Sequence, residues 1–441
     1  MVILERLSSA THPQVVRVRV RSEQPNFDAP WSRTPRETEG IAVLVGPRLL
    51  VTLASAVVHA VEQPPGANQV LARIVAIDHD RDLALLEVAE PWSIEPVALA
   101  PLPAECETVV LVGLADERID VGTARIAEVG LVRYVHSQRH LIAVTVEARQ
   151  PFHAGGDAVF GKHGLVGLVM QRSNADELRG EVVPTPMIRA FLDGVEAGKP
   201  PGVQALGVDV QALKNPLMRT QRGETGVVVT RIDLEGTCDG ILQPRDVLLS
   251  IDGVPIDDDG NVMLEGRALR HYAVLGTRHI GDSIELGTSA GIKQVTLRPW
   301  LPLVPHGNCE PRYLIYAGLV FQPLTRDFLA TWDSWWNDAP KELLHAYYVG
   351  RRTVARREII VLSSILEDPI NLGYQHLVDE SIVRIGDRAP QDFAEFVRLL
   401  DAARGDILIE TSSGGLIALD SDEVRQGDLT DRASRRNLPR P

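Results

Sequence analysis

The stretch Phe152-His153-Ala154-Gly155-Gly156-Asp157 decides how the first half of this chain is interpreted. Its glycine pair, Gly155-Gly156, permits a tight turn of the backbone. Ala154, directly before that pair, has no nucleophilic atom, so its side chain cannot take part in covalent chemistry. The stretch therefore predicts a tight loop whose central residue is chemically inert.

Two upstream stretches belong to the same pattern. Residues 50–58 read Leu-Val-Thr-Leu-Ala-Ser-Ala-Val-Val, with Ser55 near the centre, and residues 80–86 read Asp-Arg-Asp-Leu-Ala-Leu-Leu, with Asp82 before an apolar run. Together with the loop, they resemble the segments that carry the catalytic histidine, aspartate and serine of chymotrypsin-like proteases. On this resemblance, Ser55 stands in the histidine position, Asp82 in the aspartate position and Ala154 in the serine position.

The residues at these three positions exclude catalysis by the standard serine-protease triad. Such a triad needs a hydroxyl nucleophile, an imidazole that takes and returns its proton, and a buried carboxylate that orients the imidazole. Ser55 is not a base near neutral pH, and Phe152 replaces a glycine that helps to shape the oxyanion hole. His59, one helical turn after Ser55, and His153 are candidate substitutes, but a base without a nucleophile does nothing for acyl transfer. We therefore interpret His59 as a solvated residue on a surface helix, His153 as a loop residue in the position of the family's asparagine, and Asp82 as a structural carboxylate.

The composition indicates a multidomain protein without a general affinity for polyanions. The 441 residues correspond to about three domains of roughly 150 residues each. Aromatic residues make up only 5%, so aliphatic side chains must fill thin, β-rich cores. The formal net charge of −14 argues against binding of nucleic acid or anionic membranes. The short arginine runs at 351–352 and 356–357 are interpreted as an exposed helix face.

The sequence indicates no cofactor, no metal site and no membrane span. Cys106, Cys238 and Cys309 have no spacing typical of metal ligands or of a disulfide framework. Residues 1–7 lack the basic and apolar regions of a signal peptide, and no run of about 18 apolar residues occurs. We therefore predict a cytoplasmic protein, or a periplasmic one if a leader is removed.

Short apolar segments dominate the first half and predict a mainly β fold, as a sandwich or barrel. These segments are 15–20, 41–45, 70–77, 108–112, 141–146 and 165–170. One amphipathic helix is predicted at 186–192, with Thr185 as its N-cap and Pro186 at its first position. Residues 196–202, which include glycine and proline, are predicted to be a linker.

Residues 203–300 resemble a circularly permuted bacterial PDZ domain in the order of their strands and turns. The most specific part, 242–253, reads Leu-Gln-Pro-Arg-Asp-Val-Leu-Leu-Ser-Ile-Asp-Gly, a proline turn, a strand and a glycine turn. PDZ domains bind an extended peptide by strand addition and hold its terminal carboxylate with loop amides. The resemblance assigns that loop to Ala205-Leu206-Gly207-Val208. A closed groove that serves only for assembly is the alternative.

A second unit of the same kind is predicted at 301–420. The counterpart of the first binding loop is Ala317-Gly318-Leu319-Val320, and residues 381–389 repeat the strand and glycine turn. Between them, 327–348 is predicted to be a helical insertion, whose tryptophans are interpreted as core or interface packing. Residues 421–441 are polar and arginine-rich and are predicted to fray as a tail.

With these segments in view, the whole chain resembles the HtrA/Deg family of serine endoproteases, in the order protease, first PDZ, second PDZ. The plant-type Deg subgroup is the nearest likeness, on Ala29-Pro30-Trp31, Val183-Pro184-Thr185-Pro186 and residues 313–321. The resemblance implies a chymotrypsin-like double β-barrel over 1–195, followed by two α+β PDZ domains. It also implies homo-oligomers, as trimers or larger assemblies, and a role in protein quality control.

The sequence thus predicts a pseudoprotease that binds peptides or unfolded proteins. It would act as a chaperone-like or regulatory scaffold, including by mixed assembly with an active relative. Two alternatives stay open. One is an active endopeptidase in protein quality control that uses a non-standard site, which an assay of casein cleavage would reveal. The other is a purely structural oligomer with closed PDZ grooves, which peptide-binding assays would separate.

Overall fold

The computed structural model describes the chain except for residues 7–11, 62–68, 116–117, 154–155, 174–175, 223–224, 309, 429–435 and 438–441. The chain forms two compact units, the first with Met1–Glu23 and Pro35–Trp300 and the second with Gln24–Thr34 and Leu301–Pro441. Strands dominate the first unit, and strand residues outnumber helical residues over the described chain, which confirms the mainly β fold class. The sequence pattern does not predict that residues 24–34 join the second unit.

Six strands close into a first barrel. They are β1 (Val2–Glu5), β2 (Val15–Pro25), β3 (Arg33–Leu44), β4 (Leu49–Thr52), β5 (Gln69–Asp78) and β6 (Leu83–Val88). Their order around the barrel is β1-β2-β3-β4-β6-β5, and a one-turn helix, α1 (Ala54–Val57), follows β4. Alternate residues of a strand share one face, so Val16, Val18 and Val20 of β2 all lie in the core.

A second six-stranded barrel confirms the predicted double-barrel architecture. Its strands are β7 (Thr108–Ala115), β8 (Arg118–Arg133), β9 (His140–Ala148), β10 (Ala158–Gly161), β11 (Gly164–Ser173) and β12 (Asp176–Pro184), in the order β10-β11-β12-β9-β8-β7. Helix α2 (Thr185–Glu196) follows. The predicted helix start is wrong by one residue: Pro184 occupies the N-cap position, Thr185 is the first helical residue and Pro186 the second. The buried Thr185 Oγ1 donates to the Ala100 carbonyl at 2.6 Å instead of capping the helix.

The rest of the first unit is the first PDZ-like domain. Its elements are β13 (Gln204–Ala205), β14 (Val208–Ala212), α3 (Pro216–Arg222), β15 (Val227–Ile232), β16 (Val247–Ile251), β17 (Val254–Pro255), β18 (Asn261–Leu264), β19 (Arg267–Arg270), a 3-10 helix (His271–Leu275), β20 (Ser283–Thr288), β21 (Gly291–Thr296) and β22 (Arg298–Pro299). The main sheet has the order β14-β15-β16-β20-β21, with β17 paired to β16. Strand β14 therefore lies at one end of this sheet.

The second unit contains the second PDZ-like domain. Its elements are β23 (Tyr313–Tyr316), β24 (Leu319–Pro323), α4 (Arg326–Leu329), α5 (Trp335–Asp338), α6 (Lys341–Val349), β25 (Ile360–Ile365), two 3-10 helices (Pro369–Asn371 and Gln375–Leu377), β26 (Ile382–Ile385), α7 (Phe393–Ala402), β27 (Asp406–Thr411), β28 (Leu416–Asp420), α8 (Ser421–Asp428) and β29 (Arg436–Asn437). One sheet has the order β25-β24-β23-β29 and the other β26-β27-β28.

Two expectations for the second unit are corrected. Residues 421–428 do not fray but form α8, because Val424 packs into the apolar core of the unit. The arginine runs 351–352 and 356–357 lie after the end of α6, in a turn closed by paired backbone hydrogen bonds between Thr353 and Arg356. They are therefore not a helix face.

Candidate functional site

Asp82 lies in the turn between β5 and β6 and is 2% exposed. Its Oδ1 accepts a hydrogen bond from the Ser55 amide at 2.7 Å, and its Oδ2 accepts one from Ser55 Oγ at 3.1 Å. The Asp82 carbonyl also accepts from the Ala54 amide at 3.1 Å. The structure thus brings together the two predicted residues Ser55 and Asp82, with serine bonded where a triad would have imidazole.

Burial raises the pKa of Asp82 to about 7, while its hydrogen bonds from Ser55 act in the opposite direction. The nearby carboxylate of Asp78 raises it further. An acid with this pKa changes its charge close to neutral pH. Asp82 is therefore a titrating group without the imidazole that it would orient in a protease.

A histidine that the sequence reasoning missed approaches this carboxylate. His136 lies between β8 and β9, and its Nε2 is 3.8 Å from Asp82 Oδ2, beyond hydrogen-bond distance. No spacing in the sequence links His136 to Asp82, because barrel packing brings them together. The predicted placement of His59 one helical turn after Ser55 is wrong: α1 ends at Val57, and His59 has a left-handed backbone with φ of 58°.

The described residues at both ends of the loop 152–157 are fixed by packing or hydrogen bonds. Ala154 and Gly155, the predicted nucleophile position and its neighbour, lie outside the described residues. Before them, Phe152 is 4% exposed and packs in the core of the second barrel. A Cβ atom on Gly180 would lie only 2.8 Å from the Phe152 ring, so β12 packs closely against this ring. Phe152 thus fills the barrel core.

His153 is bonded within its own loop. Its backbone amide donates to Asp157 Oδ2 at 3.2 Å, and its Nδ1 lies 3.0 Å from Asp157 Oδ1. Its Nε2 lies 3.4 Å from Asp120 Oδ2 on β8. Burial raises the pKa of Asp157, which is 1% exposed, and the His153 charge and hydrogen bonds lower it. A Cβ on Gly113 would overlap Asp157 Oδ1, so the pair occupies the space that this glycine leaves.

The first predicted binding loop, Ala205-Leu206-Gly207-Val208, connects β13 to β14, with Gly207 at φ of 68°. The carbonyl groups of its first three residues accept hydrogen bonds from one segment, 233–238. The donors are Thr237 Oγ1 to Ala205 (2.5 Å), the Cys238 amide to Leu206 (3.0 Å) and the Asp233 amide to Gly207 (2.8 Å). In a trans peptide the N–H is opposite to the C=O. The amides that follow these carbonyls therefore face away from residues 233–238, as in an anion-binding turn.

The second predicted loop has a different geometry. Ala317 and Gly318 form the two-residue turn of the β23–β24 hairpin, with φ of 52° and 75°. Asn371 Nδ2 donates to the Ala317 carbonyl at 2.6 Å, and the Leu366 amide donates to the Gly318 carbonyl at 2.8 Å. Strand β24, with Leu319 and Val320, lies between β23 and β25. A peptide could add to this strand only after displacing one of its neighbours, so this assignment stays a prediction.

Within the residues that the structure describes, no group of three or more histidine, cysteine, aspartate or glutamate side chains could hold a metal ion. No described helix is long and apolar enough to cross a membrane.

Comparisons with known proteins show what this chain is similar to. A PDZ domain family model matches residues 304–430. "Protease Do-like 2, chloroplastic" of Arabidopsis thaliana is 28% identical over 424 residues, covering 90% of this chain and 69% of that protein. "Putative protease Do-like 13" of the same plant is 27% identical over 431 residues, covering 92% of this chain and 84% of that protein.

Among solved structures, the HtrA-type protease AlgW with a tripeptide has 19% sequence identity and a TM-score of 0.49, covering 66% of this chain and 94% of that chain. The two closed barrels and the matched C-terminal PDZ domain fit the double barrel followed by PDZ domains that the sequence resemblance implies. The chain is a homologue of the Deg/HtrA proteases.

Proposed function

We propose that this Deg/HtrA homologue is a pseudoprotease that binds the C-terminal ends of peptides and unfolded proteins. The observation that carries the proposal is the bonding of Asp82 to Ser55, whose amide and hydroxyl both donate to the carboxylate. Ser55 cannot accept a proton near neutral pH, and residue 154 is an alanine without a nucleophilic atom. Loss of triad members costs on the order of 10⁴ to 10⁶ in turnover.

Two features of the first PDZ-like domain support peptide binding. The turn Leu206-Gly207-Val208 directs its amides away from residues 233–238, which suits a carboxylate ligand. It leads directly into β14, the end strand of its sheet, whose main chain can pair with an added strand. Val208 and Val210 on β14 are half-buried against the apolar core and offer surface to an apolar terminal side chain.

The test is calorimetric titration with an octapeptide that ends in leucine, in free-acid and C-terminally amidated forms. The free acid is expected to bind about tenfold more tightly, because hydrogen bonds to a charged group contribute about 1.5–3 kcal/mol. Gly207→Glu should abolish binding of the acid, since a side chain at φ of 68° would strain the turn and its charge would repel the ligand. Gly240→Glu is the matched control, because a Cβ there meets open space and φ is also positive. Equal affinity for both peptides would contradict the proposal.

The competing function is an active endopeptidase with a non-standard site. The approach of His136 to Asp82 favours it, because an imidazole lies 3.8 Å from the buried carboxylate. A fluorophosphonate probe separates the two functions, since it phosphonylates an activated serine hydroxyl. We expect no labelling, and stoichiometric labelling of any serine would replace the pseudoprotease proposal by this one.

We further propose that the protein acts in protein quality control as a homo-oligomer, including mixed assemblies with an active relative. This proposal extends what the sequence resemblance to the HtrA/Deg family implies. Mass photometry of the purified chain tests the oligomer directly, and a single species at the monomer mass of 48.3 kDa would contradict it.

A further inference from the structure

Strand β14 carries two main-chain donors on its open edge. The Gly207 carbonyl accepts a backbone hydrogen bond from the segment that follows β15, and the Asp209 carbonyl accepts one from Thr230 Oγ1 on β15 at 3.1 Å. Both carbonyls therefore face β15. In a trans peptide the N–H is opposite to the C=O. The amides of Val208 and Val210 thus point away from β15, toward the open edge of the sheet.

These two amides fix the direction and the register of an added strand. A carboxylate bound at the Val208 amide is the C-terminal end of the peptide, and the rest of the peptide would then run along β14 toward Ala212, antiparallel to this strand. The peptide residue two positions before the last would lie opposite Val210 and share its hydrogen bonds. The penultimate residue would lie opposite Asp209, in a non-hydrogen-bonded pair, where two facing side chains come closest.

The two faces of β14 differ in their chemistry. Val208 and Val210 pack against the apolar core of the domain, so the last residue of the peptide meets an apolar face. Asp209 lies on the opposite face, where its side chain is 41% exposed and its Oδ2 is 3.9 Å from Nε of Arg231, its cross-strand neighbour on β15. This separation is beyond hydrogen-bond distance. A carboxylate has about four acceptor sites, so the ion pair with Arg231 does not exclude a second cation from an added strand.

We propose that Asp209 is a specificity-determining residue, which selects lysine or arginine at the penultimate position of the peptide. The inference rests on the proposed peptide-binding function and narrows its ligand class to a free α-carboxylate, an apolar last residue and a basic residue before it. Opposite charges that face each other across two strands stabilise the pairing, and like charges destabilise it. Arg231 flanks Asp209 on the other side and weakens the preference, because it offsets part of the carboxylate's charge.

A purely structural role for Asp209 makes a different prediction. If its carboxylate only holds β14 to β15 through Arg231, its loss would weaken the binding of all peptides alike. If it contacts the penultimate residue, its loss would weaken a peptide with lysine at that position relative to one with glutamate. The ratio of the two affinities therefore separates a role in recognition from a role in holding the strand.

The experiment is calorimetric titration of the full chain with two octapeptides that both end in leucine and differ only in lysine or glutamate at the penultimate position. At low salt, wild type is expected to bind the lysine peptide about fivefold more tightly than the glutamate peptide, and this ratio should fall to about one in Asp209→Asn. Glu285→Gln is the matched control and should keep the wild-type ratio. Glu285 is exposed on β20 of the same sheet, three strands from β14, so solvent and salt screen its charge from the peptide.

A second variant keeps the test decisive if Asp209→Asn does not fold. Arg231→Gln removes the cation that flanks Asp209, so the lysine-to-glutamate ratio should rise above that of wild type. The role of Asp209 would be overturned, and the peptide-binding function left intact, by any of three results. These are equal affinities or a preference for glutamate in wild type, a wild-type ratio kept in folded Asp209→Asn, and a ratio that does not rise in Arg231→Gln. Absence of binding of either peptide to wild type would overturn the proposed function itself.

Discussion

At the scale of single residues, the buried carboxylate of Asp82 has the clearest physical consequence. In an active triad, the charge on such an aspartate is stabilised by the imidazole that it orients. Here two donors from Ser55 only partly offset burial, and the pKa of Asp82 rises to about 7. Above that pH, the folded protein contains a buried negative charge that the unfolded chain exposes to water.

The stability of the protein should therefore depend on pH through Asp82. Its folded pKa of about 7 is above the ordinary 3.8, so the folded state binds the proton more tightly. The free energy of unfolding should fall between pH 4 and 7, by at most about 4 kcal/mol from this group. Asp82→Asn removes the ionisable group, so its stability relative to wild type should be higher at pH 8 than at pH 4.

Urea denaturation at these two pH values measures this difference. Asp193→Asn, an exposed position on α2, is the control and should track wild type at both. A difference between Asp82→Asn and wild type that is the same at pH 4 and 8 would show that Asp82 keeps an ordinary pKa.

The pair His153–Asp157 gives a second prediction, because it occupies space that is open only while residue 113 is a glycine. A Cβ on Gly113 would overlap Asp157 Oδ1 and lie 2.5 Å from His153 Nδ1. Gly113→Ala should thus displace the pair and lower the free energy of unfolding by about 1–3 kcal/mol, the usual cost of overpacking. Gly122→Ala is the matched control on the neighbouring strand, where the nearest atom would be 3.9 Å away. If urea denaturation gives equal midpoints for both variants, the pair does not hold the loop.

At the scale of structural elements, the connection between β5 and β6 joins the first barrel to the first PDZ-like domain. Arg81 is buried and pairs with Asp78 at 2.6 Å. Its guanidinium also donates to the carbonyls of Gly202 (2.9 Å), Gly276 (3.3 Å) and Arg278 (3.4 Å). One side chain therefore satisfies a buried carboxylate, one backbone acceptor of the linker and two of the following domain.

Replacing Arg81 should destabilise the first unit strongly. Arg81→Met leaves Asp78 buried without its cation, and breaking a buried pair in this way costs about 3–5 kcal/mol. Arg73→Met removes an exposed pair with Glu87 at 2.6 Å and should change the stability far less, because solvent screens this pair. Thermal unfolding of both variants measures the contrast. Similar melting temperatures would mean that the Arg81 bonds do not contribute to stability.

The sequence was most informative where the chemistry is local. Short apolar segments predicted β2, β3 and β5 of the first barrel and β7, β9 and β11 of the second, but not the other barrel strands. The segment 242–253 predicted the proline and glycine turns around β16. Ser55 and Asp82 were predicted to be neighbours, and they are bonded. His136 was not found, because it lies in an ordinary connection between strands. Only the closure of the second barrel and its packing place it beside Asp82.

At the scale of the whole molecule, the departures from the family's catalytic pattern extend beyond the two replaced triad positions. Phe152 fills the core of the second barrel where the family pattern has a glycine, and Asp157 holds His153. An oxyanion hole contributes only if its donors are already in place. The substitutions around the loop therefore act together with Ser55 and Ala154.

Restoring the triad residues alone should accordingly fail. The double variant Ser55→His/Ala154→Ser is expected to cleave casein no faster than wild type, because the loop at Phe152 and Asp157 remains as it is. Casein digestion followed by gel electrophoresis measures the rate, and circular dichroism of the same sample shows that the variant is folded. Rapid, complete digestion would mean that the site is still preorganised for acyl transfer.

The pairing of β24 on both sides has a consequence for stoichiometry. Of the two turn–strand pairs that resemble peptide acceptors, β14 lies at the end of its sheet, whereas β24 is already flanked by β23 and β25. Each chain should then saturate with one equivalent of peptide. Linked binding sites gain from effective concentration only when more than one site is available. A client with several exposed termini would therefore bind with avidity only to an assembly of several chains.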